Sequence, residues 1–340
     1  MIPAPAKTAV PLAHRLPAGT LLADIGGTNA RFLSISDDGQ PLPPQILAAR
    51  SHVSLESALQ SYLDSFGAPM PRRAAIAVAC PVAGDTVTFT NLDWRFSITR
   101  LRDAFGFETL TIVNDAAAIA CALPWLANGD LDIWQSGAPS VSPFPMVMIA
   151  PGTGLGIAGL VRGESRWIAV AGEGGHATLA ARNDSETAVI ARLSERFGHV
   201  SAERAVSGPG IANIHAALLA IDGVKDAPLS PEDLTERLRN GSDPRVHRTF
   251  GLFADLLGTV AANAVLTFGA TGGVYLAGGI LPALGVDFDR QRFLTRFVDK
   301  GRFGALLETV PVALIRTPFP AFVGLAAILS GAATGTVATG

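Results

Sequence analysis

Cysteine is almost missing: Cys80 and Cys121 are the only two in 340 residues. Both sit in apolar runs with no CxxC or Cys/His spacing, so they read as buried free thiols, and a disulfide framework or structural zinc is set aside. An excess of one charge is also missing. Lys plus Arg is 26 and Asp plus Glu is 29, net −3 with a pI near 6.1, which leaves no basic field to draw in a polyanion, and no nucleic-acid partner is expected. Charged residues are only 16% against 49% hydrophobic, with 36 Gly and 23 Pro, a globular composition too apolar for a disordered chain. Unbroken apolar runs are lacking too. The uncharged stretches 133–161 and 256–286 are interrupted, the first by Pro139, Pro143, Pro145 and Pro151, the second by Asn263 and several glycines, whereas a spanning helix needs about 20 continuous apolar residues. Both read as buried structure, with no membrane partner. The start, MIPAPAKTAVPLAHRLPAG, has no apolar core of the kind a secretory leader needs. Its four prolines predict a flexible arm over residues 1–19 and a cytoplasmic protein.

What is present is α/β patterning in a chain long enough, at about 150 residues per domain, for two domains. The segment TLLADIGGTNARFLSIS (20–36) holds two apolar runs around Gly26, Gly27, Thr28 and Asn29, the pattern of a tight β-hairpin. Leu55, Leu59, Leu63 and Phe66 recur at helical spacing, residues 74–79 read as a strand, and TVTFTNL alternates. A strand over 109–113 ends at Asn114-Asp115 and an Ala-rich helix over 116–123 follows. After a loop rich in Gly, Ser and Pro (129–145), MVMIAPGTGLGIAGLVRG repeats the opening plan of strand, Gly/Thr turn and strand. Helices are expected over 186–197, 209–221 and 248–268, a strand over 273–277 ending in Gly278-Gly279, and a closing helix over 322–329.

Several of these junctions carry groups suited to chemistry. A hairpin tip without bulky side chains lets backbone N–H groups approach phosphate oxygens, and Asp24 ends the first strand with a carboxylate suited to Mg²⁺. Gly152, Thr153 and Gly154 form a second such turn. Neither is a Walker A loop or a dinucleotide fingerprint, and a strand after GTGLG argues against the latter. Asn114-Asp115 reads equally as a helix N-cap or as a catalytic pair. The segment Glu173-Gly174-Gly175-His176 reads as a surface loop or as a hydrogen-bonding site for a polar ligand, since no second ligand lies at metal spacing. On spacing alone, Glu203-Arg204 is an ordinary surface ion pair.

The segments ADIGGTNARF, ACPVAGD, NLDWRFS, VNDAAA, APGTGLGIA, GEGGH, VSAERAVSGPGI, GGVYLAGGI and DKGRF, in this order, resemble the bacterial-type glucokinases. These are ATP-dependent hexose kinases of the hexokinase, Hsp70 and actin superfamily. The resemblance runs from about Leu21 to about Leu329. It implies two actin-like (ribonuclease H-like) α/β domains around a deep active-site cleft, with residues 20–125 plus about 318–340 forming the smaller and 126–317 the larger. Glucose and MgATP would meet there, and a homodimer would be usual. Matched residue by residue, Asp115 corresponds to the general base on the sugar 6-hydroxyl. Asn114, Glu173, His176 and Glu203 correspond to the groups on the other hydroxyls. Asp24 with Gly26, Gly27, Thr28 and Asn29 matches the first phosphate motif, with Asp24 as the Mg²⁺ carboxylate. Gly152, Thr153 and Gly154 match the second, and Gly278 and Gly279 the turn near adenosine.

Two departures from the family pattern flank the expected sugar site. Ala116 stands where a bulky aromatic is frequent, and Ala177-Thr178-Leu179-Ala180-Ala181 replaces a stretch like Val-Asp-Phe-Ala-Pro. Both leave the hydrogen-bonding residues intact and would loosen the pocket that the resemblance implies, so kinase chemistry is expected more firmly than strict glucose preference. The alternatives are a kinase for mannose, fructose or an amino sugar, and a sugar-sensing regulator without catalysis. The second would be expected to show a helix-turn-helix or basic segment and need not retain Asp115. A polymer-forming or chaperone ATPase would have no use for Glu173, His176 and Glu203.

Overall fold

The strand Thr20–Ile25 buries five of its six residues, the signature of a strand with neighbours on both sides and covered faces. It is the first element of a mixed α/β chain seen in a computed structural model that describes residues 16–66, 70–137, 144–241, 243–335 and 337–339. In chain order the first elements are β1 (Thr20–Ile25), β2 (Asn29–Ser34), β3 (Gln45–Ala48), α1 (Leu55–Phe66), β4 (Arg73–Val78), β5 (Thr86–Thr88), β6 (Arg95–Ser97), α2 (Ile98–Phe105), β7 (Thr109–Asn114) and α3 (Asp115–Ala122). Then come β8 (Leu131–Gln135), β9 (Met146–Pro151), β10 (Leu155–Arg162), β11 (Trp167–Gly172), α4 (Asp184–Phe197), α5 (Gly208–Ile221), α6 (Pro231–Asn240) and α7 (Pro244–Phe268). The chain closes with β12 (Val274–Leu276), α8 (Ile280–Leu284), α9 (Arg290–Val298), α10 (Gly304–Glu308), β13 (Val312–Ile315), α11 (Pro320–Leu329), β14 (Ala333–Thr334) and β15 (Val337–Thr339).

The chain divides into two units, Met1–Leu131 with Gly159–Ala171 and Thr317–Gly340, and Asp132–Ala158 with Gly172–Arg316. In the first, the sheet order is β15-β7-β4-β1-β2-β3. β1, β4 and β7 run parallel, and Ile25 pairs with Val78, which pairs with Asn114. Residues 159–171 join this unit, where β11 pairs with β14 through Trp167 and Ala333. Its core gathers Leu21, Ile25, Phe32, Ile76 and Ile112 from the sheet with Leu55, Leu59 and Tyr62 from α1. Tyr62, stacked on Phe32 at 4.7 Å, is the buried member of the α1 stripe where spacing had pointed to Leu63, because 55, 58, 59 and 62 follow the 3.6-residue period more closely.

The second unit has its own core, built from Val147 and Ile149 of β9, Val274 and Leu276 of β12, and the apolar faces of α5, α7 and α9. β9, β12 and β13 are parallel, with Val147 opposite Val274 and Val274 opposite Val312. α7 begins at an Asp243 cap that accepts from the Arg245 N–H at 2.8 Å and ends at Gly269 in the left-handed region, as cap chemistry prescribes. The helix expected over 248–268 is present and starts four residues earlier, at Pro244. α7 is long and apolar enough to cross a membrane, yet 89% of its apolar window is buried inside the protein.

Other expectations change in detail. Residues 131–135, expected to be loop, form β8 at the edge of the sheet beside β13; residues 138–143 of that loop lie outside the described residues. Residues 1–15 of the expected N-terminal arm also lie outside them. The last part of that arm is packed: Leu16 is buried and the Pro17 carbonyl accepts from the Thr20 hydroxyl at 2.7 Å. The strand expected across TVTFTNL stops at Thr88, after which Phe89 turns edge-on to Trp94 at 5.7 Å.

The helix bearing Asp115, α3, is alanine-rich and packs against α11. A Cβ on Gly324 of α11 would overlap the Ala118 carbonyl oxygen of α3, so this contact is made between backbones. Gly324→Ala is expected to destabilise the protein by about 1–3 kcal/mol through overpacking, seen as a fall of several degrees in the thermal midpoint. An unchanged midpoint would show that α3 and α11 can separate without cost.

Candidate active site

In the first unit the parallel strands carry their polar residues to one edge. β1 ends at Ile25 and β7 at Asn114, and the register places both beside Val78. Asp24 therefore lies two strands, about 10 Å, from the β7 terminus. Carboxyl ends of parallel strands are where α/β sheets bind ligands. Asp24 is paired across the hairpin with Arg31, whose Nη1 donates to Oδ2 at 2.9 Å. Burial pushes the Asp24 carboxyl above its usual range, and the Arg31 charge and hydrogen bond pull against that shift. In the turn, the Gly26 N–H donates to the Asn29 carbonyl at 2.9 Å. The Gly27 and Thr28 amides have no acceptor among the described residues, which leaves donors of the kind that suit an anion.

Asn114 is the N-cap of α3. Its Oδ1 accepts from the Ala117 N–H at 3.2 Å and its Nδ2 donates to the Cys80 carbonyl at 3.3 Å. Asp115, the next residue, opens the helix and its Oδ1 accepts from the Ala116 N–H at 2.8 Å. Capping is thus observed, and it holds the Asp115 side chain at the helix mouth, half-buried. Burial and, second to it, the Asp115 charge push the neighbouring Cys80 thiol up to about 12; Cys121 is pushed to about 12 by burial. Both cysteines are free and buried, and in neither case is a thiolate available for chemistry.

In the second unit the β9–β10 turn is the meeting point. The Gly152 N–H donates to the Gly154 carbonyl at 2.8 Å, and the amides of Thr153 and Gly154 have no acceptor among the described residues. Next to it, β12 runs parallel to β9 with Leu276 opposite Ile149, which carries Gly278 onto Pro151. Gly278 has φ +82° and a Cβ there would overlap the Pro151 carbonyl, so no other residue fits without moving the turn. Gly279, at the start of α8, has open space where its side chain would be.

The segment 173–176 lies beside the start of β10, where Glu173 bridges to Ile157 and Gly175 packs on the Leu155 carbonyl. Glu173 and His176 are exposed, with the His176 Nε2 3.9 Å from Glu173 Oε2. Glu203 reaches the turn from a third segment: its Oε2 accepts from the Leu155 N–H at 2.9 Å. Its neighbour Arg204 stacks its guanidinium on Phe197 at 4.3 Å. Glu203 and Arg204 therefore face different partners and the expected surface ion pair is not formed. The Thr178 hydroxyl meets His199 Nε2 at 2.9 Å.

Glu203 thus reaches the Gly152–Gly154 turn and the segment bearing Glu173 and His176 lies beside the start of β10 in one unit, while Asp24, Gly26–Asn29, Asn114 and Asp115 share one sheet edge in the other. Sequence reasoning had passed over Arg31, the Cys80 carbonyl and Ser207, whose hydroxyl donates to the Glu203 carbonyl at 2.8 Å. Arg31 was readable from the hairpin register, which sets it opposite Asp24; the Cys80 carbonyl and the Ser207 hydroxyl left no local signal.

The sequence profile described as Glucokinase matches residues 21–332. A glucokinase of Nitrobacter hamburgensis is 44% identical over 308 residues, 90% of this chain and 95% of that one. The crystal structure of a glucokinase from an Antarctic psychrotroph is 34% identical with a TM-score of 0.80, covering 92% of this chain and 98% of that one. That of Balamuthia mandrillaris glucokinase in complex with glucose has a TM-score of 0.77 at 21% identity, covering 92% and 93%, a likeness of fold. With the profile spanning nearly all of the chain and the sequence identity sustained along it, the chain belongs to the glucokinase family of sugar kinases.

Proposed function

We propose that the protein transfers the γ-phosphoryl group of ATP to the 6-hydroxyl of glucose, giving glucose 6-phosphate and ADP. The observation that supports this reading is the Glu203 carboxylate on the Leu155 amide beside the Gly152–Gly154 turn, with the segment of Glu173 and His176 packed on the same strand start. Phosphoryl transfer needs in-line placement and charge compensation rather than an enzyme nucleophile. Asp115 accepts the proton of the 6-hydroxyl as its oxygen bonds to the γ-phosphorus, and the bond from that phosphorus to the β,γ-bridging oxygen breaks to release ADP. Asn114, Glu173, His176 and Glu203 bind the remaining hydroxyls and fix which oxygen is presented. The Gly27, Thr28, Thr153 and Gly154 amides bind phosphate oxygens, and Gly278 with Gly279 leaves room for the nucleoside.

Among the described residues no cluster of three or more His, Cys, Asp or Glu could hold a metal ion. A lone carboxylate, Asp24, fits an Mg²⁺ carried by the nucleotide phosphates, which keeps most of its water. When bound, that ion supplies charge compensation on the phosphates; Asp24 would hold it or its waters, with Arg31 fixing the carboxylate's direction.

Asp115→Asn is expected to lower kcat by about 10²-fold or more with glucose affinity largely kept, since general-base catalysis is worth 10² to 10⁴. A variant that turns over at near the wild-type rate removes Asp115 from the role of base. Asp24→Ala is expected to raise the Mg²⁺ concentration needed for half-maximal rate, and an unchanged Mg²⁺ titration would leave Asp24 a structural residue.

Sugar choice follows from unpaired groups, because an epimer that misplaces one hydroxyl leaves a partner unsatisfied at about 1–3 kcal/mol. The expected order in kcat/KM is glucose, then mannose, then galactose, with Ala116 giving room for a bridging water under mannose. A preference for galactose or fructose in a coupled assay would overturn the substrate while leaving the chemistry.

A further inference from the structure

Leu155, the first residue of β10, is touched from two sides. Its N–H donates to Glu203 Oε2 at 2.9 Å, and its carbonyl lies so close to Gly175 that a Cβ there would overlap it. Gly154 meets the same carboxylate oxygen: its Cβ, if present, would stand 2.6 Å from Glu203 Oε2. Glu203 is itself fixed, since its carbonyl accepts from the Ser207 hydroxyl at 2.8 Å and Ser207 caps α5 through the Gly210 N–H at 3.0 Å. One residue beyond Ser207, the Gly208 N–H donates to the Gly152 carbonyl at 2.8 Å. The segment 203–208 therefore grips the Gly152–Gly154 turn at both ends, by main chain at Gly152 and by a single side chain at Leu155.

A carboxylate that accepts a backbone N–H makes a charge-assisted bond, roughly twice as strong as a neutral one. It also has a second oxygen with acceptor capacity to spare. We propose that Glu203 is a positioning residue for the nucleotide turn in addition to its sugar role: Oε2 sets the Gly152–Gly154 turn through the Leu155 amide and leaves Oε1 to the sugar. The inference rests on the sugar reading of Glu203 given above. One carboxylate serving both ligands couples them, and the coupling is reciprocal. Sugar that orders Glu203 presets the turn for phosphate, and phosphate that fixes the turn presets Glu203 for sugar.

Three variants separate the parts. Glu203→Ala removes both oxygens, Glu203→Gln keeps an acceptor for the Leu155 N–H, and Gly154→Ala leaves Glu203 in place but sets a methyl against its Oε2. Calorimetric titration of the non-hydrolysable analogue AMPPNP with Mg²⁺ into sugar-free protein reads the turn. Titration of glucose into nucleotide-free protein reads the sugar site, and circular dichroism confirms that each variant is folded. Glu203→Ala is expected to weaken AMPPNP by about 10-fold with no sugar present, and Glu203→Gln to restore its affinity. Gly154→Ala is expected to weaken glucose by a similar factor although it touches no proposed sugar ligand except through Glu203. AMPPNP affinity unchanged in folded Glu203→Ala, or glucose affinity unchanged in Gly154→Ala, overturns the positioning role. Should Glu203→Ala fail to fold, the Gly154→Ala glucose titration decides. Normal glucose binding by both Glu203 variants would instead remove Glu203 from the sugar site, an outcome distinct from either failure.

Discussion

Parallel pairing of β1, β4 and β7 is the constraint on which the first unit's polar edge depends. Parallel strands send all their carboxyl ends to one side, so Ile25, Val78 and Asn114 finish together and whatever follows each of them shares one edge. The second unit repeats the logic with β9 and β12, where the pairing of Ile149 with Leu276 delivers Pro151 and Gly278 to the same place. The candidate residues of each unit lie at a strand end or in the few residues past it. Those residues are free to be Gly, Asn or Asp because the strands beneath them carry the burial.

Close approach is the second theme. Gly154 against Glu203, Gly278 against Pro151 and Gly324 against Ala118 are places where backbone meets another group with no room for a methyl. Two lie at the β9–β10 turn and one behind the helix that begins with Asp115. At Gly278 and Gly324 main chain meets main chain, and at Gly154 main chain meets the Glu203 carboxylate. Main chain has fewer rotatable bonds through which to drift.

Local chemistry made much of this legible. The Gly26–Asn29 and Gly152–Gly154 turns, the strand ending at Asn114 and the α1 and α11 helices follow from periodicity and punctuation. Glu203 was misread on spacing because its partner, Leu155, is 48 residues away, and a tertiary hydrogen bond leaves no periodic trace. β8 was hidden since LDIWQ is half-exposed throughout and borders a Gly/Pro-rich stretch. The short amphipathic helices α2, α6 and α9 went unassigned; their two or three buried positions each, such as Phe293 and Phe297 in α9, are too few to declare a period. α7 was assigned from residue 248 and begins at Pro244, where the Asp243 cap and a proline in the first turn open it.

That long helix has a consequence for how the protein is made. While the chain is being synthesised, α7 is an exposed apolar segment with the composition of a membrane anchor, and its shelter comes from elements on both sides of it in sequence: β9 and α5 before, α9 after. Its final neighbour does not exist until the ribosome has moved well past it. During that interval the nascent chain exposes apolar surface of the kind that makes folding intermediates prone to aggregate, and docking of α7 on β9 and α5 covers part of it before α9 is made.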